Sequence, residues 1–237
     1  MSSRGASAPP LLEASVGSAR VFCSGRVHGN VGDHVGDDPQ VVAHNRAELA
    51  ARIAAATAGW VWLRQVHGNA VHIAAGPGPN PAPEADAAVT AERGLALAIV
   101  TADCAPLVIA NDEAIGVVHA GHRGLAAGVI EAAIGSVRKL GSGEVRAFLG
   151  PCIRPARYEF GAADLAPFVA QFGPEVAGRT DAGGPALDIP AAIRIVLARE
   201  GVTSFADCEI CTAESPAYFS YRRSVDSGRQ VTIAVLP

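Results

Sequence analysis

The chain has 237 residues, of which 49% are hydrophobic and 18% are charged, and its formal net charge is −4. This composition is sufficient for a sizeable buried core. The sequence has no Lys/Arg-rich run of the kind that binds the phosphates of nucleic acids, so we do not expect a nucleic-acid partner. Because it lacks an apolar run of about 18 residues and an apolar secretory segment, and has only five irregularly spaced cysteines, we expect a cytoplasmic protein without a membrane partner.

The first predicted element is a tail. Residues 1–18 are mostly small and polar and are predicted to be flexible, so a single catalytic domain would cover residues 19–237. A short apolar strand is expected at 21–23, and a loop rich in Gly, His and Asp follows it.

A helix and a hairpin are predicted next. Asp38, or Asp37 before it, is positioned to cap a helix that would end near residue 58. Apolar alternation predicts a strand at 60–67. A turn then leads to a second strand at 71–74, so the two strands would form a hairpin.

Strand-like runs dominate the middle of the chain, at residues 87–90, 95–101, 107–110 and 114–118. The later patterns are helices at 125–140, 162–172 and 190–200, and strands at 144–149 and 230–236. This order lacks the regular βαβ alternation of a parallel sheet. It indicates an α+β fold in which outer helices cover the sheets.

Three potential metal ligands each lie at a predicted turn: His67, Cys104 and His119. Taken singly, a free Cys or a turn His is more often a structural residue. One thiol and two imidazoles nevertheless supply three ligands, and a three-ligand zinc site keeps a fourth position open for water or substrate. Their combination therefore predicts a catalytic metal centre rather than a closed structural one.

Polar residues near these ligands are candidates for substrate binding and proton transfer. Gln65 is predicted on the same strand face as His67, and Asp103 is the carboxylate nearest in sequence to the thiol. The segment 119–124 leads into a predicted helix. The free amide groups of its first turn, with Arg123 beside them, would form an anion-binding site.

Two further motifs have competing interpretations. Cys208-x-x-Cys211 is typical of a zinc ribbon or a redox motif, but no second pair of cysteines or histidines accompanies it, so we discount it. The segment 218–223 combines aromatic rings with guanidinium groups. It would either stack on a base and bind an anion, or form an ordinary strand at a sheet edge.

Together, the motifs resemble those of the YfiH/laccase-domain family, described as multifunctional purine nucleoside enzymes, as peptidoglycan editing factors and formerly as polyphenol oxidases. The matching segments are 30–39, 45–46, 62–68, 86–90, 101–106, 119–124, 149–153, 158–161 and 219–223. They cover most of the chain in order, which is more specific than any one motif. The resemblance implies a single-domain α-β-β-α sandwich.

The resemblance also implies a reaction. It places Zn²⁺, with copper as the alternative metal, on His67, Cys104 and His119. The implied activities are phosphorolysis of adenosine, inosine, guanosine and methylthioadenosine, together with adenosine deamination. Purine nucleosides and phosphate are thus the expected partners, of either a monomer or a homodimer.

The catalytic residues expected on this basis are the three metal ligands and Asp103, which would move protons during deamination. The expected substrate-binding residues, whose arginines would hold phosphate, are Gln65, Arg46, Arg123, Tyr158 and Arg222. The chain departs from the family in two places. His122 stands where the family usually has Trp, which would change packing or base stacking. The segment Arg154-Pro-Ala-Arg157 replaces a Cys-rich stretch, and its arginines would strengthen anion binding.

Four other functions are alternatives to the phosphorylase. A metal-free hydrolase would use Cys104 as nucleophile and His119 as base. A related cysteine or zinc hydrolase would trim a wrongly built cell-wall peptidoglycan precursor. A copper polyphenol oxidase is least favoured, because three ligands lack the multi-histidine set of such enzymes. A non-enzymatic binding module would leave the Cys/His group without a role.

Overall fold

Two β-sheets form the centre of the computed structural model, which describes residues 10–223 and 228–237. The five-stranded sheet contains, in spatial order, β1 (Leu12–Val16), β2 (Ala19–Cys23), β13 (Gln230–Val235), β6 (Leu95–Thr101) and β3 (Gly59–Val61). The six-stranded sheet contains β12 (Ser204–Asp207), β9 (Arg146–Leu149), β7 (Ala105–Ala110), β8 (Ile115–Ala120), β5 (Ala87–Thr90) and β4 (Val71–Ile73). A separate pair consists of β10 (Ala177–Arg179) and β11 (Pro185–Leu187).

The helices are α1 (Pro39–Arg52), α2 (His122–Ala126), α3 (Val129–Leu140), α4 (Ala162–Phe172) and α5 (Ile189–Arg199). The predicted cap of α1 is present, since the Asp38 side chain accepts a hydrogen bond from the Gln40 amide at 2.8 Å. This helix ends at Arg52 rather than near residue 58. Within the described ranges, no helix is long and apolar enough to cross a membrane.

Three apolar layers hold the helices and sheets together. The layer between the two sheets contains, among others, Val21, Leu97, Ile99, Val108 and Val117. The layer between the six-stranded sheet and the helices α3, α4 and α5 contains Leu107, Ile134, Phe168 and Val196. The layer between the five-stranded sheet and α1 contains Phe22, Ala98 and Leu49. Because both sheet faces are covered, β6, β7 and β8 are buried along their whole length. The predicted α+β class and its α-β-β-α layers are confirmed.

The predicted N-terminal tail is wrong for residues 12–16. These residues form β1, which pairs antiparallel with β2 across a tight turn. Gly17 takes φ 58° in that turn, a left-handed conformation that favours glycine. Small, partly polar residues suggested a tail, yet Val16 is buried between the sheets. The part of the prediction that concerns residues 1–9 lies outside the described residues.

Two other predicted elements differ from the structure. The helix predicted at 125–140 is divided into α2 and α3, because Gly128 at φ 85° interrupts the helical hydrogen bonding. The predicted hairpin does not form, because β3 belongs to the five-stranded sheet and β4 to the six-stranded sheet. The segment 62–70 therefore crosses from one sheet to the other, and this crossing carries a predicted ligand.

Candidate metal centre and adjoining cavity

The structure brings His67, Cys104 and His119 together. Cys104 directly precedes β7, and His119 lies in β8 opposite Pro106, the second residue of β7. His67 comes from the segment that crosses between the sheets. One potential ligand atom of each residue lies within 4.8 Å of the other two. The three predicted ligands thus form one group that is able to bind a metal ion.

Asp86 organises this group, a role that we did not assign from the sequence. Its side chain is fully buried directly before β5. The carboxylate oxygen Oδ1 lies 2.8 Å from Nδ1 of His119 and accepts a hydrogen bond from the His67 amide at 2.9 Å. The oxygen Oδ2 accepts from the amides of Gly68 at 2.7 Å and Val66 at 3.2 Å. One carboxylate therefore fixes one ligand's ring and the other ligand's backbone.

The backbone of His67 has an unusual conformation, which the hydrogen bonds from residues 66–68 to Asp86 stabilise. Its φ of 59° lies in the left-handed region, which is uncommon for a residue other than glycine. The three amide bonds to Asp86 hold this conformation. The only sequence signal for this arrangement was a carboxylate placed immediately before a buried apolar strand.

The electrostatics of the group favour a thiolate. Burial alone would raise the pKa of the Cys104 thiol, but the charges and hydrogen bonds of His119 and His67 outweigh burial and lower this pKa. Burial opposes charge on His119 as well, yet the Cys104 sulfur and the Asp86 carboxylate raise the pKa of its imidazole. The sulfur is therefore predisposed to act as an anionic ligand.

The residues fit a metal ion of the predicted kind. A thiolate and two imidazoles are ligands that Zn²⁺ prefers, and copper also accepts this combination. A metal-binding histidine commonly directs its second ring nitrogen to a carboxylate, as His119 does with Asp86. The donor set and its buried support thus match a three-ligand centre.

A cavity of about 450 Å³ adjoins the three ligands. Five predicted residues line it: Gln65, Asp103, Arg123, Tyr158 and Arg222. Its lining also includes residues that we did not predict: His34, Thr101, Tyr221 and Arg229. Three guanidinium groups thus face a single carboxylate. Although the chain is acidic overall, this cavity suits an anionic ligand.

Arg123 and Arg222, which both line the cavity, differ in the contacts that their side chains make with the protein. The Arg123 side chain is exposed and, within residues 10–223 and 228–237, its guanidinium forms no hydrogen bond or ion pair. Arg222 donates to the Glu159 carbonyl at 3.1 Å, and its guanidinium lies 4.7 Å from the centre of the Tyr158 ring. Since α2 has only five residues, its terminus is too short to form the predicted anion site. Anion binding by the Arg123 side chain stays a prediction.

Gln65 and Asp103 line the cavity, and their side chains form hydrogen bonds with other residues of the protein. The Gln65 amide donates to the Val100 carbonyl at 2.8 Å and accepts from the Val100 amide at 2.9 Å. Asp103 accepts from the Thr212 hydroxyl and from the Arg222 amide, both at 2.7 Å. These contacts hold the cavity wall in place. Their direct contact with substrate stays a prediction.

Arg46 does not lie at the cavity. It donates to the Val31 carbonyl at 2.9 Å, pairs with Asp33 at 3.2 Å and lies over the Trp62 ring at 4.1 Å. The expectation that it binds substrate is therefore not supported by its position. Its guanidinium instead joins α1 to the loop before it and to the segment that crosses between the sheets.

The additional arginines at 154 and 157 do not lie at the cavity either. Arg154 binds both carboxylate oxygens of Asp207, at 2.8 and 2.5 Å. Arg157 pairs with Asp181 at 3.1 Å and with Glu214 at 3.2 Å. The predicted gain in anion binding is wrong, because these acidic partners, distant in sequence, neutralise both side chains.

The Arg154–Asp207 pair gives a pH-dependent prediction. Burial opposes the charged form of Asp207, but Arg154 outweighs it and lowers the carboxyl pKa. The pair therefore stabilises the fold above the unfolded pKa of about 3.9, and this contribution is lost as pH falls through the folded pKa. We expect Asp207→Asn to reduce the free energy of unfolding by about 3 kcal/mol at neutral pH. Urea unfolding should show this difference shrinking below about pH 4.

The exposed pair of Asp181 and Arg157 provides the control for that experiment. Asp181→Asn should change the free energy of unfolding by less than about 1 kcal/mol, because both side chains are solvated. An Asp207→Asn difference that stays constant down to pH 2 would contradict the assigned cause.

His122, which stands in place of the usual Trp, keeps an aromatic environment. Its ring packs edge-on against Phe160 and Phe168, with centroid distances of 5.5 and 6.4 Å. Burial, followed by the positive charge of Arg123, lowers the pKa of this imidazole. Its Nδ1 lies 3.2 Å from the Tyr158 hydroxyl, so the substitution links the aromatic cluster to the cavity by a polar contact.

Comparisons with known proteins identify a family and a curated relative. Residues 21–237 match the family described as multi-copper polyphenol oxidoreductase laccase. The chain is 43% identical over 206 residues to a purine nucleoside phosphorylase of Streptomyces coelicolor, with 84% of each chain covered.

Two solved structures share the fold. YlmD from Geobacillus stearothermophilus superposes with a TM-score of 0.83 at 27% identity, covering 97% of both chains. The hypothetical protein YfiH of Bacillus licheniformis superposes with a TM-score of 0.84 at 22% identity, covering 98% of both chains. The second likeness concerns the fold alone.

Proposed function

The chain belongs to the laccase-like YfiH family, and on that premise we propose that it is a zinc-dependent purine nucleoside phosphorylase. The observation that carries this proposal is the combination of two features at one place. His67, Cys104 and His119 form a metal-binding group, and the cavity beside them is lined by three guanidinium groups. The name of the Streptomyces relative supports the same reaction.

The proposed metal ligands are His67, Cys104 and His119. When bound there, Zn²⁺ supplies Lewis-acid chemistry that stabilises developing negative charge. Asp86 keeps the His119 ring in the orientation that ligation requires, and it holds the backbone of His67 at the same time.

The cavity provides for the other reactant, phosphate. In phosphorolysis a phosphate oxygen forms a bond to C1′ of the nucleoside while the bond from C1′ to the base breaks. The bonding electron pair leaves with the purine, which takes up a proton. Arg123 and Arg222 are proposed to hold the phosphate, because guanidinium groups match its geometry and charge. Tyr221, which is 60% exposed at the cavity, offers an aromatic face to the purine.

Adenosine deamination is proposed as a second activity of the same cavity. In this reaction water adds to C6 of the purine and ammonia leaves, so a group must transfer protons. Asp103 is the carboxylate that lines the cavity, and each of its oxygens keeps a free lone pair beyond the hydrogen bond it accepts. We further propose that the catalytic domain includes β1, and that the protein acts in the cytoplasm.

The other functions remain distinguishable. In the described part of the chain, one group of three or more potential ligands is present, which is too few for the several ions of a multi-copper oxidase. The metal-free cysteine hydrolase is the second candidate, because the lowered pKa of Cys104 beside His119 also suits a nucleophile. A hydrolase acting on a peptidoglycan precursor would use the same residues on another substrate.

One assay separates these functions. Purified protein of known metal content is incubated with inosine or adenosine, with and without phosphate, while base, ribose 1-phosphate and ammonia are measured. We expect hypoxanthine release from inosine that requires phosphate and yields an equal amount of ribose 1-phosphate. Ammonia release from adenosine should not require phosphate.

Each other outcome has a defined meaning. Base release that is independent of phosphate would indicate a hydrolase. Turnover that persists after chelation, in protein without bound metal, would favour the cysteine hydrolase. No turnover of either nucleoside by zinc-loaded protein would overturn the proposed function.

A further inference from the structure

Tyr158 places a phenol hydroxyl among the residues that line the cavity. The residue follows a short 3-10 helix at Pro155–Arg157, and only 7% of it is exposed. Burial raises the pKa of the phenol to about 12, although the nearby Arg222 charge opposes this rise. The other charged groups that act on the hydroxyl, Cys104 and Asp103, line the cavity as Tyr158 and Arg222 do. The hydroxyl therefore keeps its proton at neutral pH and lies at the cavity wall.

His122 holds this hydroxyl in place. Its Nδ1 atom lies 3.2 Å from the Tyr158 oxygen, and its ring packs edge-on against Phe160 and Phe168. Burial, followed by the charge of Arg123, lowers the pKa of this imidazole, so that the ring is neutral and has one donor and one acceptor nitrogen. If the imidazole donates, the hydroxyl keeps its proton for a ligand. If the hydroxyl donates, its oxygen keeps a lone pair for a ligand.

This pair of side chains suits a different part of the substrate from the arginines. A guanidinium group is positively charged and only donates hydrogen bonds, so Arg123 and Arg222 match phosphate. His122 and Tyr158 together form a neutral group that either donates or accepts. An alcohol has the same property, and the alcohol groups of a nucleoside are those of its sugar.

The position of Arg222 indicates which sugar hydroxyl Tyr158 would contact. The Arg222 guanidinium lies 4.7 Å from the centre of the Tyr158 ring. In the proposed reaction, phosphate held by Arg222 forms a bond to C1′ of the nucleoside. The carbon next to C1′ carries the 2′-hydroxyl, which is therefore the sugar hydroxyl nearest to the phosphate. Phosphate bound beside Tyr158 thus brings the 2′-hydroxyl to the same side of the cavity.

We propose that the Tyr158 hydroxyl binds the 2′-hydroxyl of the ribose, and that His122 is a positioning residue that holds the phenol there. This inference rests on the proposed phosphorylase function and specifies how the cavity recognises the sugar. Bonds form and break at C1′, so the reaction itself does not depend on this contact. The contact instead favours ribonucleosides over 2′-deoxyribonucleosides.

The first test compares inosine with 2′-deoxyinosine in Tyr158→Phe, which removes the hydroxyl and keeps the ring beside Arg222. In zinc-loaded enzyme, the kcat/KM of inosine divided by that of 2′-deoxyinosine should fall about five- to tenfold from its wild-type value, as for the loss of one hydrogen bond. The two nucleosides differ in intrinsic reactivity, but this difference cancels when the ratio is compared between two proteins. A purely structural defect would lower both constants equally and leave the ratio unchanged.

The same variant contains its own controls. The KM for phosphate should change less than about twofold, because phenylalanine keeps the aromatic face that Arg222 contacts. The corresponding ratio of inosine to 3′-deoxyinosine should stay at its wild-type value. An unchanged ratio for 2′-deoxyinosine would overturn the proposal, as would a fall confined to 3′-deoxyinosine.

Two variants of nearly equal shape test the role of His122. His122→Asn keeps a polar atom near the position of Nδ1, whereas His122→Leu has none. The ratio of inosine to 2′-deoxyinosine should stay close to the wild-type value in His122→Asn and should fall in His122→Leu. In the Tyr158→Phe protein, His122→Leu should not lower the ratio further, because His122 acts through the hydroxyl. Equal ratios in the Asn and Leu variants would overturn the positioning role.

A binding measurement separates this proposal from the proposed function. Inosine should raise the Tm of zinc-loaded wild-type protein more than 2′-deoxyinosine does at the same concentration, and the two shifts should be equal in Tyr158→Phe. This comparison does not need turnover. Absent phosphorolysis with these Tm shifts would overturn only the reaction. Intact phosphorolysis with equal shifts in the wild type would overturn only the contact with the 2′-hydroxyl.

Discussion

Cys104→Ala should abolish zinc binding and reduce phosphorolysis by at least about 10³-fold while leaving the protein folded. Lewis-acid stabilisation by a metal is worth several kcal/mol, and each 1.4 kcal/mol corresponds to about a tenfold change in rate. The variant removes the only thiolate of the three-ligand group. The fold should survive, because Cys104 lies at a turn before β7 and outside the three apolar layers. Zinc content, phosphate-dependent hypoxanthine release and thermal unfolding measure the three effects.

The chain offers a matched control for this variant. Cys208 is also a partly buried free cysteine, but burial raises the pKa of its thiol and it does not line the cavity. Cys208→Ala should therefore keep full zinc content and activity. If Cys104→Ala retained zinc and turnover, the metal centre would be wrongly assigned. If it lost turnover but retained zinc, Cys104 would act as the nucleophile of the competing hydrolase.

The ligands could be predicted from the sequence because each follows a recognisable local pattern. Cys104 and His119 each lie next to an apolar run, and such runs form buried strands. Cys104 directly precedes β7 and His119 lies near the end of β8, and because β7 and β8 pair antiparallel the two residues meet at one edge of the six-stranded sheet. His67 needed the other two residues for its assignment, because a single histidine at a turn has no specific meaning.

The remaining features depend on contacts between residues that are distant in sequence. Asp86 contacts residues up to 33 positions away in the sequence, and its place before an apolar strand does not indicate which residues these are. Arg46 and Arg154 have the same charge as the cavity arginines, but their partners hold the two guanidinium groups at places that do not line the cavity. Charge alone therefore cannot separate an arginine that lines the cavity from one that does not. Only the three-dimensional pairing makes that distinction.

Asp86→Asn should weaken zinc binding by about 10- to 100-fold, although Asp86 does not itself belong to the ligand group. The carboxylate serves four nitrogen atoms, which are Nδ1 of His119 and the amides of Val66, His67 and Gly68. An asparagine side chain has one acceptor oxygen and presents an NH₂ group in place of the other. It is therefore unable to accept from all of them. The His119 ring and the left-handed backbone of His67 would lose support together.

The effect on zinc must be separated from a general loss of stability. Unpaired amides at 66–68 should also lower the free energy of unfolding, by roughly 1–3 kcal/mol for each donor that loses its partner. Asp207→Asn is the appropriate comparison, since it breaks a largely buried carboxylate contact of similar importance away from the cavity. Competition with a chromophoric chelator should show reduced zinc affinity for Asp86→Asn and wild-type affinity for Asp207→Asn. Equal affinities in the two variants would mean that Asp86 stabilises the fold alone, and that the ligands keep their geometry without it.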